Sequence, residues 1–215
     1  KQDAKSEFMP SRLFIYYNER SIEGTTGKDS GSSLKDGIKT ISSTGVCSES
    51  MWPYDITKYT DKPTDECYTS AENNKAITYQ SVNQTETDIK QALSDGYPVA
   101  FGFQVYESFE SDDVKETGIV PMPDTSSEKL LGGHAVALVG YCNKNDKPYF
   151  IVRNSWGTDW GDKGYCYFPE EYIYNTDLCS DFWVVEKITE PQSLIKSIVK
   201  GVGVDDGVGD DVCDF

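Results

Sequence analysis

The spacing of hydrophobic positions changes partway along the 215 residues. Early in the chain it is helical. Leu13, Phe14 and Tyr17 share one face after Pro10-Ser11, which predicts a helix ending near Arg20. Gly24 to Ser33 (GTTGKDSGSS) reads as a loop. Leu34, Ile38 and Ile41 then recur at helical spacing, with Gly45 as a stop. Pro53 and Pro63 predict an extended loop from Met51 to about Tyr68. Thr85 or Thr87 caps a short helix carrying Ile89 and Leu93, closed by Gly96. Beyond it the apolar runs read as strands: Val99–Val105, Ala135–Tyr141, Tyr149–Val152, Gly164–Phe168 and Phe182–Ile188. Tyr106 to Glu116 is polar and aromatic, with room for one helical turn. Helices first and strands second predict an α+β chain with two lobes.

Two of these strands flank the turn-forming run Asn143 to Pro148, a β-hairpin pattern. Centring the loop near Asn145 pairs residues whose numbers sum to about 290. Val136 then faces Asn154, and His134, the sole histidine, faces Trp156. Paired residues share a face, so His134 and Asn154 emerge together at one end of the hairpin, roughly 7–8 Å apart at the backbone. An amide oxygen there can hold one ring N–H and leave the other nitrogen free to work.

The stretches GGHAVALVGY and YFIVRNSWGTDWGDKGY resemble the histidine and asparagine blocks of the papain-like cysteine peptidases, the cathepsin family. TDIKQALSDGYPVAFGF and KDSGSSLKDGIKTISSTGVCSESMWPYD are similar to further segments of it, so the resemblance covers roughly Met9 to Ile188. It implies a papain-like two-lobed α+β fold: a helical lobe mainly at 9–80, an antiparallel, barrel-like β lobe mainly at 81–188, and an active site in the groove between them. It implies thiol endopeptidase activity through a thioester, on polypeptide substrates and without a cofactor or metal. His134 would be the general base, Asn154 its orienter and Trp156 a shield over their bond. Gly31 matches the glycine that binds substrate backbone, although Ser30 replaces the glycine before it. Ser32, Gly133, Phe182 and Val184 are expected along the specificity pockets, and Trp160 is expected to be structural.

The family's nucleophilic cysteine begins a long helix in a segment that has no match here. The resemblance places it upstream of Lys1, on a cleaved segment or one otherwise missing from this sequence. The six cysteines present do not replace it. Cys142 is eight residues from His134 on one strand, roughly 26 Å away. Cys166 stands at a core position with no helix N-terminus to activate it. Cys47, Cys67 and Cys179 lack a local base or match structural positions, and Cys213 lies on the tail. The 215 residues alone are therefore expected to be inactive. The rival readings are a peptide-binding pseudo-peptidase or structural protein, and an acyl transferase using the same triad.

Composition adds limits. The formal net charge of −16 argues against nucleic acid or an anionic membrane as partner. No run approaches the roughly 20 apolar residues of a membrane span. No targeting signal opens the sequence, so it assigns no compartment. Cys47 and Cys67 flank a loop and are the best candidate disulfide, with all six cysteines free as the alternative. From about Glu190 the chain turns into an acidic, Gly/Asp-rich stretch, read as an extension at 189–215 beyond a peptidase domain at 1–188.

Overall fold

The computed structural model describes residues 8–144 and 146–189. These divide into two compact units. One holds residues 8–80 and 185–189, the other Ser81 to Val184. The expected acidic extension and Cys213 lie outside the described residues.

In the first unit, α1 (Arg12–Glu23) starts where Ser11 Oγ accepts from the Phe14 amide and stops at Gly24, which adopts a left-handed φ of 71°. It runs three residues past the expected end at Arg20. α2 (Leu34–Ser43) begins at Ser33, whose hydroxyl accepts from the Asp36 amide. The two helices approach closely at Gly37, where a Cβ would lie 2.8 Å from Glu19 Oε2. Leu13 and Phe14 are fully buried, and Phe14 packs with Val46, Cys47, Cys67 and Ala71.

The loop expected from Met51 to Tyr68 is shorter than its prolines suggest. A 3-10 turn forms at Ile56–Lys58, and α3 (Asp65–Ala71) starts two residues after Pro63. Asp65 and Glu66 favour that start, because carboxylates stabilise the first turn of a helix. Cys47 and Cys67, the expected disulfide, are both buried thiols, and no disulfide forms among the described residues.

Arg20 is the largest fully buried side chain. Its guanidinium donates to the carbonyls of Tyr16 (3.1 Å), Thr26 (3.0 Å), Lys28 (2.8 Å) and Tyr59. It also lies over the Tyr16 ring, 3.9 Å from the centroid. Carbonyls and rings replace the usual carboxylate partner, and the contacts tie α1 to the loop that leads to Gly31.

β1 (Ala76–Ser81), absent from the sequence reading, begins a six-stranded sheet. After it come α4 (Glu86–Ser94), capped by Thr85, and β2 (Val99–Tyr106). A 3-10 turn at Glu107–Glu110 and α5 (Asp112–Thr117) occupy the segment expected to hold one helical turn. β3 (Leu130–Lys144), β4 (Lys147–Arg153), β5 (Tyr165–Pro169), α6 (Glu170–Tyr174) and β6 (Cys179–Ile188) complete the chain. The strand order is β1-β6-β2-β3-β4-β5. The last residues of β6, from Val185 on, belong with the first unit.

β2 alternates as a sheet strand with one buried face should. Val99, Phe101, Phe103 and Val105 are at most 5% exposed, while Ala100, Gly102 and Gln104 are half-buried. The inward residues stand opposite Leu138, Val136, His134 and Gly132 of β3. His134 therefore continues an apolar row at a position that would otherwise be core.

These packing sites make one prediction about stability and one about thiol reactivity. Burial first, and the neighbouring charge of Glu23 second, raise the Glu19 carboxyl to a pKa of about 7. A folded-state pKa above the unfolded one means the folded state binds more protons between pH 4.5 and 7. The contribution of Glu19 to stability is full below pH 4.5 and is lost as pH rises through 7. Glu19→Gln should raise stability at pH 8 by about 1–3 kcal/mol and flatten that slope. Urea melts from pH 4.5 to 8 check this, and an unchanged slope would count against it. Burial also raises the thiol pKa values of Cys166 and Cys179, and burial with Cys67 alongside raises that of Cys47 to about 12. Of the five described cysteines, only Cys142 should react quickly with a chromogenic disulfide reagent in the native protein. All five should react after denaturation, with peptide mapping to locate them.

Candidate active site

The β3–β4 hairpin brings His134 and Asn154 together. Ala137 pairs with Arg153 and Leu138 with Val152, the predicted sum of 290. Beyond a bulge between Leu138 and Gly140 the sum becomes 291 and stays there out to Lys144 opposite Lys147, with Asp146 at a φ of 60°. The predicted register thus holds at the end carrying the site and slips at the turn.

Asn154 follows β4 and continues its inward row of Phe150 and Val152, both fully buried. Its amide N–H donates to the Gly164 carbonyl at 2.9 Å, which fixes the backbone. The loop that returns from Asn154 to β5 is pinned by Gly161, whose N–H donates to the Lys115 carbonyl at 2.8 Å. Gly161 has a φ of 60°, and a Cβ there would run into the Tyr165 carbonyl, so no other residue fits without moving the backbone.

His134 Nε2 lies 2.8 Å from Asn154 Oδ1. A carboxamide oxygen only accepts, so Nε2 carries the proton and Nδ1 is the nitrogen left for chemistry. The same Oδ1 accepts the Ser155 amide N–H at 2.8 Å. Two donors converge on one oxygen, which sets the amide's orientation. Its Nδ2 is buried without a partner among the described residues.

Aromatic rings enclose the pair. Trp156 stacks on the imidazole, with centroids 5.2 Å apart and planes 25° from parallel. Phe103 meets the imidazole edge-on at 5.8 Å. Trp156 rests against Trp160 and Phe109 at 5.1 and 5.5 Å. Trp160 is buried, in keeping with its expected structural place, and Trp156 is 41% exposed. Beside His134 lies a cavity of about 130 Å³ lined by Val105, Glu110, Leu131, Gly133 and Trp156.

The other predicted residues are scattered. Phe182 and Val184, expected along specificity pockets, are 4% and 1% exposed and packed in the core of the second unit. This corrects the expectation, because an inward-facing strand residue on the packed side of a sheet has no surface to offer a substrate. Gly31, in the first unit, is exposed with a φ of 67°, and its N–H donates to Tyr16 Oη at 3.1 Å. The Tyr16 hydroxyl in turn donates to Asp29. Ser32 Oγ donates to Glu23 Oε1 at 2.7 Å, which braces the same loop. Gly133 is exposed at the cavity beside His134.

No described cysteine offers an activated thiol to His134. Phe103 of β2 pairs with both His134 and Cys179, so Cys179 stands two strands away, roughly 10 Å, behind that ring. Cys166 pairs with Val152 and is fully buried. Cys47 and Cys67 are buried in the separate core of the first unit. Among the described residues, no cluster of His, Cys, Asp or Glu could hold a metal ion, and no helix is long and apolar enough to cross a membrane.

Sequence reasoning missed Glu110, Val105 and Leu131 of the cavity, and the Ser155 amide. Only the last left a signal, since the residue after an Asn is well placed to donate to its side chain.

Residues 22–180 match the model of the papain family of cysteine proteases. The chain is 48% identical over 199 residues to an uncharacterized peptidase C1-like protein of Acanthamoeba polyphaga mimivirus, covering 89% of this chain and 63% of that protein. It is 36% identical over 124 residues to the thiol protease aleurain of Arabidopsis thaliana, covering 56% of this chain and 32% of aleurain. The chain thus spans less than two thirds of these curated relatives. Among solved structures it resembles xylellain, a cysteine protease from Xylella fastidiosa, with a TM-score of 0.77 and 43% identity over 85% of this chain and 71% of that one. A procathepsin B of Trypanosoma congolense shares the fold at a TM-score of 0.61 and 22% identity, over 81% of this chain and 59% of that one. The histidine–asparagine hairpin, the aromatic enclosure and these matches agree: the chain belongs to the papain family of cysteine proteases.

Proposed function

We propose that this chain supplies the base and its orienter to a thiol endopeptidase that hydrolyses polypeptides through a thioester. The observation that carries the reading is the 2.8 Å bond from His134 Nε2 to Asn154 Oδ1, which leaves Nδ1 for a thiol. The nucleophilic cysteine comes from a segment upstream of Lys1. His134 Nδ1 takes the thiol proton, and the thiolate attacks the scissile carbonyl. The imidazolium then protonates the departing amine, and the neutral ring takes a proton from the water that cleaves the thioester. Asn154 Oδ1 holds the ring in place through these steps. Trp156 keeps water off the bond. Gly133 offers exposed backbone to substrate beside His134, and Gly31 of the first unit is a separate candidate for holding substrate backbone.

The test compares residues 1–215 alone with the full gene product. The isolated chain should neither cut an unfolded protein substrate nor be labelled by a thiol-directed epoxide. The full product should do both. Epoxide on Cys166 of the isolated chain would overturn the assignment of the nucleophile. Peptide binding without cleavage by the full product would favour the peptide-binding reading.

Within an active full-length protein, His134→Ala should lower kcat/KM by about 10²–10⁴. Asn154→Ala removes a hydrogen bond to a group that becomes charged, about 1.5–3 kcal/mol or a ten- to hundredfold loss. Ser155→Pro deletes the N–H that orients the amide. It should lower kcat more than it raises KM, with Ser155→Ala, which keeps the N–H, close to wild type. Steady-state kinetics decide, and equal effects of proline and alanine would remove the orienting role from the amide.

A further inference from the structure

The cavity beside His134 holds one group that the proposed chemistry does not use. Its walls are apolar or glycine: Val105, the 41%-exposed Leu131 and Trp156, and Gly133. Its one acidic residue is Glu110, at the end of the 3-10 turn Glu107–Glu110. The other acid of that turn, Glu107, accepts the Lys129 amide N–H at 3.0 Å. Glu110 is exposed and forms no ion pair among the described residues.

At about 130 Å³ the space is well below the roughly 300 Å³ where small-molecule pockets begin, and it suits a single side chain. A bulge between Val105 and Tyr106, with Leu131 as the extra β3 residue, disposes this strand end just before Gly133 and His134.

We propose that Glu110 makes this cavity a subsite for a lysine or arginine side chain on the residue immediately after the scissile bond. The inference rests on the proteolytic reading above. His134 must reach the nitrogen that leaves, and the cavity opens from the imidazole, so it receives the side chain on the leaving side. A lysine or arginine lays its methylene stem along Val105 and Leu131 and brings its charge to the Glu110 carboxylate. The Trp156 face adds a favourable contact for the same cation. An acidic side chain meets Glu110 as a like charge and is disfavoured.

The test uses the full-length enzyme and internally quenched peptides that differ only in the residue after the cleaved bond: Lys, Ala or Glu. The kcat/KM ratio of the Lys peptide to the Glu peptide should be about tenfold at low salt and shrink at high salt, because Glu110 is solvent-exposed. Glu110→Gln should bring the ratio close to one, and Glu110→Lys should invert it. Preferred cleavage of the Glu peptide is a gain that a misfolded protein cannot show. A wild-type ratio near one, or a ratio untouched by Glu110→Gln, overturns the proposal and leaves proteolysis standing. If no peptide is cleaved, the proteolytic reading fails instead. Fluorescence anisotropy with the same peptides then decides the subsite: tighter binding of the Lys peptide that Glu110→Gln abolishes supports it, and equal affinities overturn it.

Discussion

The imidazole of His134 can present Nδ1 to a thiol only while Nε2 is held by Asn154, and that bond depends on which way the Asn154 amide points. The ring N–H and the Ser155 N–H both need an oxygen. Turning the amide over would set its NH₂ against two donors and lose both bonds. The orientation leaves Nδ2 buried and unpartnered among the described residues, a cost of about 1–3 kcal/mol. A structure selected for stability alone would place an apolar residue there, as it does at Phe150 and Val152 on the same inward row. The site is a local departure from core packing, tolerated where the sheet ends.

The rest of the second unit makes that departure rigid. Phe103 sits between His134 and Cys179 and makes ring contacts with Phe101, Phe109, Phe168 and Tyr172. The imidazole therefore packs against the centre of the core rather than its fringe. On the other side the return loop is fixed at Asn154 by Gly164 and at Gly161 by Lys115, so the amide cannot drift from the ring. A hydrogen bond near 2.8 Å between side chains on different strands requires both anchors.

Much of this was legible in the sequence, because a hairpin is a counting problem. Two-residue alternation and the turn around Asn145 predict that His134 and Asn154 share a face, and the register at Ala137–Arg153 follows the expected sum. The bulge near Val139 was not legible, since nothing in the local composition marks it, but it lies on the turn side of the pair and does not disturb it. Alternation also shows that Phe182 and Val184 face one way. It does not say whether that side meets a substrate or another layer of the protein, and here it meets the core. Short helices such as α3 and α6 escaped because five to seven residues carry too little periodicity to separate them from loops. The alliance of Glu110 with Leu131 depends on tertiary folding and on a strand bulge, which no spacing in the chain encodes.

Trp156 ties the imidazole to the cavity beside it. It stacks on the His134 imidazole and also lines the cavity that holds Glu110. Moving this ring would change the packing of the imidazole and the shape of the cavity together. The two effects could not be separated by changing the tryptophan. Glu110 lines the same cavity from the 3-10 turn Glu107–Glu110 and is not a partner in the His134–Asn154 hydrogen bond, so its charge can vary without removing that bond. The proposed selectivity thus rests on a residue outside that hydrogen bond. The orientation of the imidazole rests on the two residues that form the bond.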